Sequence, residues 1–227
     1  MSGDCVSGDG PNSDPGCVLD TAGADDVSGQ KDLAEFCQNV ASNCSGTVLT
    51  WQWDDTGWSG SNTGDACALY DTDGDRFANY ALCVTVGSTP AAQVSTSPRL
   101  YLCTDGKGFN CTGSTLVSGR QSACVVNTLV PDPFVSAGRA ANKCGGVSCL
   151  DRDTQAQCCV KPVDFAAPAE LIDVCSYPSQ SPSSDPSECV KTVFCSNDNT
   201  CVVQSGEGIC QGRCVSVGGV TQCVYTP

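Results

Sequence analysis

The chain has 227 residues, 20 Cys, no His, one Met and a formal net charge of −14. Without His there is no Ser-His-Asp or Cys-His catalysis, no His-containing zinc site and no c-type haem attachment. The acidic balance argues against nucleic acid and anionic membranes, which need cationic surface, and no run of about 18 apolar residues is present to span a bilayer.

Cysteine at this density persists as disulfides outside the reducing cytosol. Zinc–thiolate sites usually show a C-x2-C knuckle. The nearest spacings here are Cys144-x4-Cys149, the vicinal pair Cys158-Cys159 and Cys210-x3-Cys214. A secreted, fully bridged protein is therefore expected. Met1 to Cys5 carries neither a basic n-region nor an apolar h-region, so a processed or truncated start with an incidental Met1 is expected.

In chain order, the first element is a Cys-closed loop, Cys5–Cys17, around a Ser-Asp-Pro turn. Leu33, Phe36, Cys37 and Val40 fall at i, i+3, i+4 and i+7, which predicts one short helix, with Ser28 as its N-cap. Beyond it, short β-branched apolar runs alternate with Gly, Ser, Asp and Pro clusters, the pattern of an all-β protein. The predicted strands are 46–53, 79–86, 99–103, 123–130, 154–160, 189–194, 200–204 and 220–225. Trp51 and Trp53 share a face of the first strand, and core packing is the favoured reading. Trp58 lies in a Gly/Ser loop, where an exposed indole can stack on a sugar while Asp54 and Asp55 bond its hydroxyls. Cys103–Cys111 reads as a closed hairpin tip, and Cys158 and Cys159 as two ordinary cross-links from opposite faces of a strand. Two Asn-x-Ser/Thr matches, at Asn43 and Asn110, have Cys in the middle and are poor glycan acceptors.

Cys175–Cys189 echoes the first loop, with a leading Cys, a Ser-Asp-Pro turn and a closing Cys. The Ser/Pro stretch 177–186 within it reads as a stiff loop or linker. If both loops close locally, 11 Cys remain between 18 and 170 and five between 190 and 227. Both numbers are odd, so at least one bridge must join the C-terminal segment to the body.

Chemistry concentrates in one acidic loop. Asp71, Asp73 and Asp75 occupy positions 1, 3 and 5, Phe77 can offer a backbone carbonyl at position 7, and Asn79 a side-chain oxygen at position 9. Calcium takes six to eight oxygens in such a pattern. Three carboxylates so close repel one another unless a cation neutralises them, so the loop is expected to be disordered or strained without metal. Missing ligands are sought at Asp54, Asp55 and Asp65, the nearest acids in sequence. It is not an EF-hand: position 6 is Arg76 instead of Gly, position 12 is Leu82 instead of Glu, and a strand follows instead of a helix.

The run Asp71-Thr-Asp73-Gly-Asp75 to Tyr80, followed by a strand, resembles the calcium loops of integrin-type FG-GAP and related bacterial surface repeats. More widely, 50–86 and 99–111 resemble Cys-rich, Asp-rich modules of large bacterial secreted surface proteins, which are β-sandwiches of Ig-like or prealbumin-like type. That resemblance implies an extracellular, non-catalytic, structural or adhesive role at the cell surface. The fold expected is an all-β, disulfide-rich sandwich with one short helix. Its parts are a junction at 1–17, a calcium-binding sandwich at 18–165 and a Cys-rich module at 166–227. The expected cofactor is Ca2+, and the expected partners are further copies or neighbouring modules in a filament-like assembly. The alternative is a glycan-binding module using Trp58, Asp54 and Asp55; a secreted hydrolase comes third, since paired carboxylates could in principle cleave glycosides but Glu is rare and none lies near the Trp cluster.

Overall fold

The structure is a computed structural model. It describes residues 17–20, 27, 29–39, 44–54, 63–88, 91–133, 152–191, 194–195, 200–205, 208–217 and 220–224. Two antiparallel sheets pack as a sandwich. The first runs β1 (Cys17–Leu19), β2 (Leu33–Asn39), β3 (Thr47–Trp53), β12 (Arg152–Val160) and β11 (Ala123–Pro131). The second runs β10 (Thr115–Leu116), β7 (Arg99–Leu102), β5 (Tyr80–Ser88), β4 (Thr63–Asp71), β13 (Glu170–Ser176) and β14 (Glu188–Lys191), with β6 (Ala91–Gln93) also beside β5. A short hairpin joins β8 (Asp105–Lys107) to β9 (Asn110–Thr112). A separate sheet contains β15 (Phe194–Cys195), β16 (Thr200–Ser205), β17 (Gly208–Val217) and β18 (Val220–Val224).

Between the main sheets lies a core in which Leu33, Phe36, Leu49, Trp51 and Trp53 meet Ala66, Ala68, Tyr70, Leu82 and Val84. The two indoles are fully buried and meet edge to face, with centroids 6.1 Å apart. A second core covers the outer face of the second sheet with Cys67, Leu69, Cys83, Ile172, Cys175 and Tyr177. The β8–β9 hairpin and the segment after Tyr177 close it: the Tyr177 hydroxyl donates to the Phe109 carbonyl at 2.9 Å, and the Cys111 N–H donates to the Pro182 carbonyl at 2.7 Å. Of the two readings the sequence left open for 177–186, a stiff loop or a linker, the loop is the one observed, and it closes a core.

Six disulfides join described cysteines: 17–37, 44–159, 67–83, 103–111, 124–158 and 175–189. Cys17 therefore pairs with Cys37, not Cys5; β1 lies against β2 in a register that sets these two residues directly opposite. Cys5 lies outside the described residues. The vicinal pair makes two separate cross-links, Cys158 to Cys124 and Cys159 to Cys44. This covalent framework belongs to an oxidising environment. Among the described residues, no helix is long and apolar enough to cross a membrane.

The expected short helix is instead strand β2. Leu33 pairs with Trp53 and Glu35 with Gln52, so Ala34 is an extra residue in a bulge. A bulge breaks the period of two, and it brings Leu33 and Phe36, three apart, onto the same core face. That spacing imitates a helix. β13 and β14, which lie beyond residue 165, belong to the second sheet, β13 pairing with β4 and β14 with β13.

Candidate metal centres

Two acidic clusters emerge from this framework, at opposite sheets. The first is the loop after β4. Asp71 is its keystone: Oδ1 accepts from the Asp73 and Gly74 N–H groups at 2.9 and 2.8 Å, and Oδ2 from the Arg76 N–H at 2.7 Å. Burial pushes the Asp71 carboxyl up, but these N–H donors outweigh it and hold it below its ordinary range. The Asp75 carboxylate accepts from the Phe77 N–H at 2.8 Å, and the Asn79 side-chain oxygen accepts from the Thr72 N–H at 2.6 Å and the Thr72 hydroxyl at 2.9 Å. Asp71, Asp73 and Asp75 still place one oxygen each within 4.8 Å of one another. Arg76 adopts φ 67°, the left-handed conformation for which an EF-hand uses Gly at this position. Backbone N–H groups thus compensate part of the negative charge of this loop, chiefly at Asp71.

Asp65 does not join this loop. It lies six residues up β4 from Asp71, about 20 Å away at the rise of a strand. There it faces Thr85 and accepts from the Thr63 and Thr85 hydroxyls at 2.6 and 2.7 Å. Burial pushes its carboxyl up, and the two hydroxyls oppose the shift. Asp55 and Trp58 lie outside the described residues. Asp54 belongs to a different cluster.

That cluster stands at one end of the first sheet, on the face turned away from the tryptophans. Asp54 follows Trp53 at the end of β3, Asp132 follows Pro131 at the end of β11, and Asp153 lies on β12 between them. Two bulges aim acids at this spot. In β11 the register slips between Thr128 and Val130, so Leu129, at φ 60°, is the extra residue. Val130 then pairs with Asp153, and Asp132, two residues further on, shares its face. In β2 the bulge at Ala34 turns Glu35 to the same side as Gln52 and hence as Asp54. Asp32 sits across from Asp54, whose N–H donates to the Asp32 carbonyl at 3.1 Å.

One oxygen each of Asp54, Asp132 and Asp153 lies within 4.8 Å of the other two. Asp132 is 5% exposed and Asp153 fully buried, while Asp54 as a whole residue keeps partial exposure. Neither carboxylate oxygen of Asp153 receives a hydrogen bond. Burial pushes its carboxyl up to about 9, and Asp54, Asp132, Glu35 and Asp32 each add repulsion. The triad is a possible metal site made wholly of oxygen donors. A third grouping, Cys17, Glu35 and Cys37, offers no thiolate, because its two sulfurs are bridged to each other.

Sequence spacing did not reveal the triad, since its members come from three strands. The available signal was that Asp, poorly suited to strands, abuts strand residues at 54, 132 and 153. Compared with known families, curated proteins and solved structures, the chain matches none.

Proposed function

We propose that the chain is a structural or adhesive module of an extracellular, cell-surface assembly, stiffened by disulfides and calcium, whose partners are further copies or neighbouring modules. The observation that carries this reading is the placement of the bridges. Four of them, 17–37, 67–83, 124–158 and 175–189, link residues directly opposite on adjacent strands. Because Cys67 also lies opposite Cys175, Cys83, Cys67, Cys175 and Cys189 form one row across β5, β4, β13 and β14. Strands clamped this way resist peeling under load, which suits a structural unit. A calcium ion on Asp71, Asp73 and Asp75 belongs to the same reading, supported by their converging oxygens and by the likeness of the loop to FG-GAP calcium loops.

Pulling a tandem array of the module in a force spectrometer tests the mechanical role. The oxidised module should lengthen far less than the reduced one, and sedimentation should show self-association at high concentration. An oxidised module that extends as far as the reduced one, and stays monomeric throughout, would sink the proposal. For the loop, chelation should lower the melting temperature more in wild type than in Asp73→Ala. Quenching of tryptophan fluorescence by sugars would instead favour a glycan-binding module.

A further inference from the structure

We infer that Asp54, Asp132 and Asp153 bind a hard divalent cation, calcium foremost, which ties the end of β12 to the ends of β3 and β11. The inference stands apart from the Asp71 loop and concerns a different sheet. Its centre is Asp153, which has no exposed surface and no hydrogen bond to either carboxylate oxygen. Its carboxylate faces those of Asp54 and Asp132, with Asp32 and Glu35 close enough to add to the negative field. A buried carboxylate without partners is strongly disfavoured unless a proton or a cation neutralises it. A proton removes the charge of Asp153 but leaves its remaining acceptor sites unused. A cation neutralises the group and uses the oxygens of all three acids.

The donor set selects the ion. Three carboxylates and no nitrogen or thiolate suit a hard cation, and exclude the soft metals that prefer sulfur. Two oxygens bound to one calcium at about 2.4 Å lie at most about 4.8 Å apart, and the oxygens of the triad lie within that span. Magnesium demands near-octahedral geometry and gives up its waters reluctantly, so an all-protein carboxylate site suits it less than calcium. The two bulges give the arrangement a structural reason. Bulges commonly re-aim side chains beside functional sites, and here the one at Leu129 turns Asp132 to the face of Asp153, and the one at Ala34 turns Glu35 to that face as well.

The test is calorimetric titration of the intact chain with CaCl2, and separately with MgCl2, alongside Asp153→Asn and Asp73→Ala. Asparagine keeps the shape of Asp153 and removes its charge, so D153N should fold without a cation and melt in EDTA at or above the wild-type temperature. In calcium, wild type should bind one equivalent more than D153N and gain thermal stability that D153N does not. D73A, which alters only the exposed loop, should keep that equivalent. Terbium offers a second readout. Trp53 adjoins Asp54, so luminescence excited through tryptophan should be lost in D153N and retained in D73A. Calcium stoichiometry in D153N equal to wild type would overturn the inference, as would a D73A protein that takes up neither calcium nor magnesium. The response of D73A relative to wild type reports separately on the loop.

Discussion

Replacing Gly106 by Ala should unseat the β8–β9 hairpin from the loop that follows β4. A Cβ built on Gly106 lies 1.9 Å from the Ala78 carbonyl oxygen and 2.8 Å from its carbon. Both atoms are backbone, so no rotamer change relieves the clash, and the hairpin must retreat by about 1.5 Å to reach ordinary contact. The retreat pulls the Lys107 carbonyl from the Ala78 N–H, now 3.0 Å away. Ala78 is buried, so its N–H would be left without a partner. Overpacking costs about 1–3 kcal/mol, and an orphaned buried donor about 1–3 kcal/mol. A total loss of about 3–4 kcal/mol follows, equivalent to about 10 °C in a chain of this size. Urea unfolding measures the loss, and amide exchange at Ala78 and Asn79 localises it. Gly108→Ala is the control: its Cβ would meet only the Arg76 carbonyl oxygen, at 3.4 Å, and should cost under about 1 kcal/mol. A G106A protein no less stable than G108A would refute the close seating of hairpin on loop.

The bridges give a ranked series. Cys17–Cys37 closes 20 residues, worth about 3 kcal/mol by chain entropy. Cys44–Cys159 spans 115, but shortcuts through the nested bridges 67–83, 103–111 and 124–158 leave about 60 residues, worth about 4 kcal/mol. Urea unfolding of C44A/C159A and C17A/C37A should keep that order, and a reversed order would remove the entropic explanation. Peptide mapping without reduction checks the pairing. Outside the six bridges stand Cys5, Cys144, Cys149 and the five Cys from 195 onward, so full oxidation requires an odd number of links between the last five and the first three. A free thiol in the unfolded, unreduced chain would break that parity argument. For pH, Asp164 is the clearest probe. Burial pushes its carboxyl up, but hydrogen bonds from Ser122 and the Gln121 N–H, with the Arg120 charge, prevail and hold it below 3.8. A depressed folded-state pKa adds stability that is complete above the unfolded value and is lost as pH falls through the folded one. The stability gap between wild type and Asp164→Asn should therefore shrink below about pH 4; a gap that stays constant down to pH 2 would contradict it.

Much of the sandwich is legible in the sequence because its strands are short β-branched, apolar runs bounded by Gly, Ser, Asp and Pro clusters. β3, β5, β7, β11 and β12 all lie within a residue or two of the predicted runs. Three kinds of element hide. β2 imitates a helix because its bulge changes the spacing of its core residues. β4, with Gly64, Ala66, Cys67 and Ala68, carries few β-branched residues, yet both of its faces are covered, one by each core. Small side chains fit a central strand squeezed between two layers, and they leave no alternation to read. The lid after Tyr177 has the composition of a linker, and only its backbone carbonyls, accepting from Cys111 and Tyr101, reveal that it closes a core. The Ser-Asp-Pro echo suggested a Cys5–Cys17 loop, but the partner of Cys17 is set by the register of two strands, which no local spacing encodes.

The acids separate along the same line between local and assembled order. Spacing of two residues singled out Asp71, Asp73 and Asp75, and the same spacing lets a carboxylate at position 1 meet the N–H groups that follow it, as Asp71 does three times over. Its charge is already compensated by dipoles. Asp153 has the opposite history. Its neighbours in space come from strand ends 99 and 21 residues away in sequence, and no backbone donor reaches it. The loop carboxylates are conspicuous in the sequence, whereas the carboxylate left without a hydrogen-bond partner, that of Asp153, is hidden there. Desolvation decides the matter, because like charges in water are screened and the same charges under a sheet are not. Chelation should accordingly loosen the Asp54–Asp132–Asp153 end of the first sheet before it disturbs the loop at Asp71. Residue-resolved amide exchange in EDTA should show this as faster exchange at Asp54 and Val130, while Asp73, Gly74 and Arg76 change less. The reverse order would mean that exposed repulsion outweighs buried repulsion in this molecule, and the physical basis for separating the two clusters would be gone.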